Sequence, residues 1–190
     1  MKTITKKILR DYIYHLETLE DIKEISSKAE GAFKNELKNH DENALEALRV
    51  DNPKPKVDKK SEKVSFNDKE FKKLFRKLVV KCHPDKLNTT TSERESKFLK
   101  RCYEQINIAN DTYNWGLLLK ISIDLEVEVD DLSNQQIDNI KNNTNQLGEQ
   151  INKYEQSMAY QWYFSPDGET KDNYLKKCVQ IFNASLKSKK

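Results

Sequence analysis

Apolar residues recur at steps of three and four along most of this chain, and this spacing favours packed amphipathic helices. One such stripe begins with Ile4, Ile8 and Tyr12 and continues to about residue 28. Gly and Pro, which mark turns, number only four each among 190 residues. The sequence therefore predicts an all-α fold. We expect Gly31 to interrupt or end the first helix, with a weaker helical pattern after it.

Composition and spacing divide the chain into four consecutive segments. We predict an N-terminal helical segment over 1–50, a basic linker over 51–64 and a helical hairpin over 65–122. Residues 123–190 are expected to form an acidic connector and a C-terminal helical hairpin. The linker holds two prolines and eight charged residues, a composition that buries little apolar surface. Its basic residues loosely resemble a nuclear localisation signal, although a solvated linker is the simpler interpretation.

The first helix of the central hairpin has a clear predicted start. Asn67 can cap it, with Glu70 completing a capping box and Phe66 packing on Phe71. The helix should end near residue 82, because Pro84 disfavours helical geometry in the residue before it. Its apolar stripe comprises Phe71, Leu74, Phe75, Leu78 and Cys82.

The second helix of this hairpin is predicted to begin at a second capping box, Ser92 with Glu95. We expect one continuous helix with its stripe facing the first. Two amphipathic helices joined by a short loop most simply pack antiparallel. The stripe comprises Leu99, Cys102, Ile106, Ala109, Tyr113 and Leu117.

The C-terminal part begins with residues 123–129, which alternate like a strand but are acidic and too short for a sheet of their own. From 137 to 158 the apolar spacing forms a heptad pattern, which predicts a weak coiled coil or intramolecular packing. A turn at 165–168 should join it to a last helix over about 171–186, so that the two pack as an antiparallel pair. Trp162 and the two aromatic residues after it could anchor a client or partner protein, with at least one of the three buried.

The net charge of +3 conceals an uneven distribution, since residues 54–86 alone carry +7 and the remainder −4. Three widely spaced cysteines fit neither a disulfide framework nor a zinc ribbon. No apolar run approaches the ~20 residues of a membrane span, and we expect no membrane association. These features predict a reducing, cytoplasmic location (the host cytoplasm for a viral protein), with the nucleus as an alternative.

A tripeptide at the expected hairpin tip carries a family resemblance. His83, Pro84 and Asp85 follow the first helix, and the stretch FKKLFRKLVVKCHPDK resembles the second helix and loop of J-domains, the DnaJ-type co-chaperones. Phe75 stands where that family usually has Tyr. The family's packing positions in the next helix match the aromatic, Ile and Ala at 103, 106 and 109. The resemblance covers about residues 65–115.

The chain also departs from that family. The usual first-helix signature, Tyr-x-x-Leu-Gly, is not recognisable before Phe66, and the loop after Asp85 is longer than usual. Gly/Phe-rich and Cys-x-x-Cys segments are missing, so the chain resembles the J-domain type that lacks both. The N-terminal helix is a candidate to replace the missing first helix.

The resemblance implies a co-chaperone that docks on a DnaK-type 70-kDa heat-shock protein and stimulates ATP hydrolysis and client capture. The partner would perform the catalysis, so we expect this chain to be no enzyme and to hold no cofactor or metal. A loop stiffened by proline presents its carboxylate at low entropic cost, and a basic helix face speeds docking on an acidic surface. The predicted docking residues are His83, Pro84, Asp85, Lys72, Lys73, Arg76, Lys77, Lys81 and Lys86.

Other interpretations stay open at this point. The basic face could bind nucleic acid, which we consider the main competing class, or the hairpin could be a degenerate scaffold that engages no chaperone. Nucleophilic catalysis by Cys82 with His83 is disfavoured, because adjacent residues at a helix end point in different directions. The acidic run from Asp124 to Asp131 is interpreted as a solvated connector. Alternatively, it folds back over the basic helix and weakens chaperone docking.

Overall fold

The computed structural model describes residues 3–40, 68–83 and 92–188, and all regular structure within these ranges is helical. The all-α prediction is therefore confirmed. The seven described helices are α1 (Thr3–His40), α2 (Lys69–Cys82), α3 (Glu93–Asp111), α4 (Trp115–Asp124), α5 (Asn134–Glu155), α6 (Met158–Tyr163) and α7 (Glu169–Ser188).

The chain forms two compact units, each assembled from two separate stretches of the sequence. Unit 1 comprises residues 1–17 and 62–148, and unit 2 comprises 18–61 and 149–190. Helix α1 contributes its first turns to unit 1 and its remainder to unit 2. The N-terminal helix thus shares a compact unit with the central hairpin.

The expected interruption at Gly31 is wrong, because α1 runs without a break to His40. Glycine costs a helix only about 1 kcal/mol relative to alanine. Phe33 and Leu37 beyond it are 2% and 0% exposed, so burial of the following two turns offsets that cost.

The central hairpin packs antiparallel as predicted, since Asp68 at the start of α2 bonds Tyr113 just after α3, while His83 at the end of α2 contacts Tyr103 within α3. Four of the five predicted stripe residues of α2 are buried, and Phe75 is half-buried. Ser92 caps α3 by accepting a hydrogen bond from the Glu95 N–H at 3.2 Å, which confirms the second predicted start.

Two details of the hairpin differ from prediction. Asp68 caps α2 in place of Asn67, which lies with Phe66 outside the described residues. The second helix is broken, because α3 ends at Asp111 and a new cap, Asn114, starts α4. Leu117 therefore belongs to α4.

Unit 2 has a core of its own, built from the second half of α1 together with α6 and α7. It consists of Phe33, Leu37, Ala159, Trp162, Leu175 and Cys178. The heptad pattern is interrupted after α5, and Met158, its last position, is exposed in the separate helix α6. Helix α7 packs on α6, and the predicted turn at 165–168 joins them, with Gly168 at φ +83°.

Candidate functional site

Helix α2 presents a basic surface to solvent. Burial of the apolar stripe fixes the rotation of the helix, so the remaining face points outward. That face, which we call the basic face, consists of the exposed side chains Lys69, Lys72, Lys73, Arg76, Lys77 and Lys81. It includes all five basic residues of α2 that were predicted to contact a chaperone.

The basic face leads directly to His83, the C-cap of α2. His83 has extended backbone angles, φ −61° and ψ 133°, as expected for a residue that precedes proline. Its half-buried ring contacts the Tyr103 ring edge-on, with 5.8 Å between the centroids. The other predicted tip residues, Pro84, Asp85 and Lys86, lie outside the described part of the chain.

Asp68 holds the opposite end of α2 in place, a role that was not among the predictions from the sequence. One carboxylate oxygen accepts hydrogen bonds from the backbone N–H groups of Glu70 and Phe71, each at 3.0 Å. The other accepts from the Tyr113 hydroxyl at 2.7 Å and from the Trp115 indole N–H at 3.1 Å. Asp68 therefore ties the start of α2 to the junction of α3 and α4.

The environment of Asp68 affects its pKa in two directions. Partial burial raises the pKa, but the four hydrogen bonds, led by that from the Phe71 N–H, lower it to a net value below its ordinary one. Tyr113 adopts a left-handed backbone conformation, φ 49°, and its ring packs on Phe71 at 4.9 Å. An Asp before the helix was a readable capping signal, but its bonds to residues 45 and 47 positions away had no sequence signal.

The acidic connector runs alongside the basic face. After α4 the chain reverses at Glu126, φ 52°, and the Val127 N–H donates to the Ser122 carbonyl at 2.7 Å. Leu125 is buried, 7% exposed, and anchors the start of the segment. Residues 125–132, which we call the acidic segment, follow this turn and line two cavities with α2.

Two lysines of the basic face contact this acidic segment. Lys81 Nζ donates to the Leu125 carbonyl at 2.6 Å and lies 3.5 Å from the Glu126 carbonyl oxygen. Lys73 Nζ lies 3.6 Å from an Asp130 carboxylate oxygen and at the same distance from Glu70. The solvent-exposed Lys73 pair is weak, because such bridges contribute at most about 1 kcal/mol.

An open groove of about 700 Å³ lies between helix α2 and the acidic segment. Five basic side chains and the exposed Val80 line one side, and residues 126–128 line the other. A smaller cavity continues between α2 and residues 128–132. The basic face is thus divided into a part adjoining the acidic segment and a part that includes Lys72, which lines neither cavity.

The cysteines beneath this surface are structural. Cys82 and Cys102 are free and buried, and the Cys82 thiol donates to the Leu78 carbonyl at 3.3 Å. Burial, with a contribution from Cys102, raises the pKa of Cys82 to about 11. Such a thiol is a poor nucleophile at neutral pH. Among the described residues no group of three or more His, Cys, Asp or Glu side chains is placed to hold a metal ion.

The aromatic triplet after α5 divides between core and surface. Trp162 is buried, as predicted for at least one of the three, and its ring packs on Phe33 at 5.4 Å. Tyr163 and Phe164 are 39% and 58% exposed. The ammonium of Lys171 lies 4.6 Å from the Trp162 ring centroid, a cation–π contact that joins α6 and α7.

Comparisons with protein-family models, curated proteins and solved structures find no match to this chain. The class that its fold defines is accordingly a two-unit helical protein with a basic, exposed helix face in unit 1. Within the described residues, no helix is both long enough and apolar enough to cross a membrane.

Proposed function

We propose that this protein is a J-domain-type co-chaperone that docks on a DnaK-type 70-kDa heat-shock protein and stimulates its ATP hydrolysis and client capture. The observation that carries the proposal is the exposed basic face of α2, which ends at His83, the residue that precedes Pro84 and Asp85 in the sequence. The resemblance of residues 65–115 assigns docking to these same positions.

The packing of unit 1 supports this proposal. Helices α2 and α3 pack antiparallel, which brings the two ends of the connecting loop to one end of the hairpin. The contact of His83 with Tyr103 fixes one end of that loop against α3. The first turns of α1 belong to the same unit, and Tyr12 there is hydrogen-bonded to Asn114, the residue that caps α4.

In this proposal the protein contributes no catalytic group. The basic face attracts an acidic surface of the chaperone and increases the association rate in a salt-dependent manner. Asp85 then accepts a charge-assisted hydrogen bond from an arginine of the partner. The partner's conformational equilibrium shifts toward the hydrolysing state, because docking favours that state.

Equilibrium binding to a purified DnaK-type chaperone in its ATP state tests whether the basic face of α2 is the docking surface. Charge reversal at Lys72 and Arg76 should weaken binding by about tenfold at low salt, since two rim charges are inverted. The matched control reverses Lys176 and Lys177, which are exposed on α7. Equal affinities for the two double variants would contradict the assigned surface.

The same assay separates chaperone docking from nucleic-acid binding. Asp85→Asn should abolish chaperone binding, whereas binding to a phosphate backbone should change little, because phosphate contacts come from basic residues. Thr90→Ala, in the same inter-helix loop, serves as the control. If Asp85→Asn leaves the affinity for the chaperone unchanged, Asp85 is not a docking residue and the proposal for the hairpin tip is wrong.

A further inference from the structure

We propose that the acidic segment, residues 125–132, is a built-in competitor that limits the access of an acidic partner to the basic face of α2. The inference deepens the proposed function and rests on it for the identity of the partner. Its basis is the position of this segment, which already engages two of the lysines expected to meet the chaperone.

One contact between the segment and α2 is made through the backbone of the segment. Lys81 bonds the carbonyl of Leu125, and the buried Leu125 side chain fixes that carbonyl in place. The Val127 N–H bond to Ser122 then sets the direction in which the segment leaves α4. Backbone hydrogen bonds and a buried side chain thus place the segment beside α2. Its position does not depend on its carboxylates alone.

The segment is negatively charged, like the partner surface that it would exclude from the basic face. Glu126, Glu128, Asp130 and Asp131 follow one another within six residues that include no basic side chain. They lower the positive potential of the groove that the basic face lines, and so reduce the attraction for any acidic protein surface. The ion pair of Lys73 with Asp130 must separate before Lys73 can meet such a partner.

The ion pair between the segment and Lys73 is weak enough for a partner to displace it. The Lys73–Asp130 pair spans 3.6 Å, and the Asp130 side chain is 83% exposed, so it contributes little to stability. The segment should therefore lower affinity by a modest factor, about five- to tenfold at low salt, without preventing docking. At about 0.5 M salt the Debye length falls to roughly 5 Å or less, and the factor should approach one.

Two variants test the inference by different routes. The first neutralises the segment with Glu126→Gln, Glu128→Gln, Asp130→Asn and Asp131→Asn. The second, Val127→Pro, removes the hydrogen bond to Ser122 and releases the segment with every charge retained. A charge-matched control carries Glu36→Gln, Glu104→Gln, Glu149→Gln and Glu155→Gln, all at exposed helical positions.

The first readout needs no chaperone. Acetylation rates of individual lysines, measured by mass spectrometry on the full chain, should rise severalfold for Lys73 in both variants relative to Lys72. In the neutralised variant Lys81 should stay protected, because its bond to the Leu125 carbonyl is retained. A fluorescein-labelled poly-glutamate peptide should bind both variants about fivefold more tightly than the wild type, and the control within twofold. Unchanged labelling and affinity in Val127→Pro would overturn the inference, as would a control that binds as tightly as the neutralised variant.

The second readout is affinity for the DnaK-type chaperone. It should increase in both variants and stay close to the wild-type value in the control. If Asp85→Asn weakens chaperone binding but Val127→Pro leaves it unchanged, the competitor role is wrong while the proposed function stands. If both variants bind poly-glutamate more tightly but no variant binds the chaperone, the proposed function is wrong and the competitor role stands for another acidic partner.

Discussion

Asp68 performs two tasks with its two carboxylate oxygens, and the substitution Asp68→Asn separates them. One oxygen caps α2, and the other accepts hydrogen bonds from Tyr113 and Trp115. Asparagine is as good an N-cap as aspartate, so the cap should survive. Its amide NH₂ cannot accept a hydrogen bond, so the Tyr113 hydroxyl and the Trp115 indole N–H lose the Asp68 carboxylate as an acceptor.

The magnitude follows from burial. Trp115 is 1% exposed, and the loss of a charged acceptor by a buried donor costs about 1–3 kcal/mol. Tyr113 is only half-buried, so its hydroxyl can turn toward water. We therefore expect Asp68→Asn to lower the free energy of unfolding by about 2 kcal/mol. Asp68→Ala also removes the cap, which adds about 1 kcal/mol.

Urea unfolding at neutral pH, followed by circular dichroism and tryptophan fluorescence, measures these differences. Glu104→Gln, an exposed change on α3, is the control and should stay within about 0.5 kcal/mol of the wild type. Equal stability of Asp68→Asn and the wild type would refute the role of the aromatic donors. Equal stability of the Asn and Ala variants would refute the role of the cap.

The pH dependence supplies a second check on Asp68. Its pKa in the folded state lies below the ordinary value of 3.8, so the unfolded state binds the proton more readily. The stabilisation is complete above the unfolded value and is lost as the pH falls through the folded one. The advantage of the wild type over Asp68→Asn should therefore shrink below about pH 4. A constant advantage through that range would contradict the bonding to the charged carboxylate.

Four further predictions concern the interior and the glycines. Gly31→Ala should stabilise the protein by about 0.5–1 kcal/mol in urea unfolding, because nothing lies within 4 Å of the added methyl group. Gly116→Ala should destabilise it by about 1–3 kcal/mol, because the methyl group would lie 2.5–2.8 Å from Tyr12 ring carbons. Equal effects of the two glycine substitutions on stability would contradict the close packing of Gly116 against Tyr12. Ultraviolet titration should show Tyr12 ionising at about pH 12, because burial raises its pKa, and the Tyr12→Phe variant should lack that step. Cys82, whose pKa is about 11, should react with iodoacetamide at pH 8 much more slowly in the native protein than in urea, and rapid native alkylation would refute its burial.

The sequence was informative where one local pattern decides the structure. The stripe of α2, the cap at Ser92 and the turn ending at Gly168 all follow from spacing and residue type. Even the break after α3 had a local signal, because Asn114 is a strong N-cap and accepts the Leu117 N–H at 2.9 Å.

Features that depend on distant packing could not be predicted in the same way. The helix continues past Gly31 because Phe33 and Leu37 are buried in a core completed by residues more than a hundred positions later. Likewise, the sequence indicated that α2 is basic on its exposed face. It gave no signal that the Lys81 ammonium would bond a backbone carbonyl 44 residues away.

Single-turnover ATP hydrolysis by a purified DnaK-type chaperone tests the central proposal most directly. Wild-type protein should increase the hydrolysis rate severalfold or more, Thr90→Ala should do the same, and Asp85→Asn should leave the rate at its basal value. If the wild type fails to increase the rate, or if Asp85→Asn increases it equally, the co-chaperone assignment is wrong.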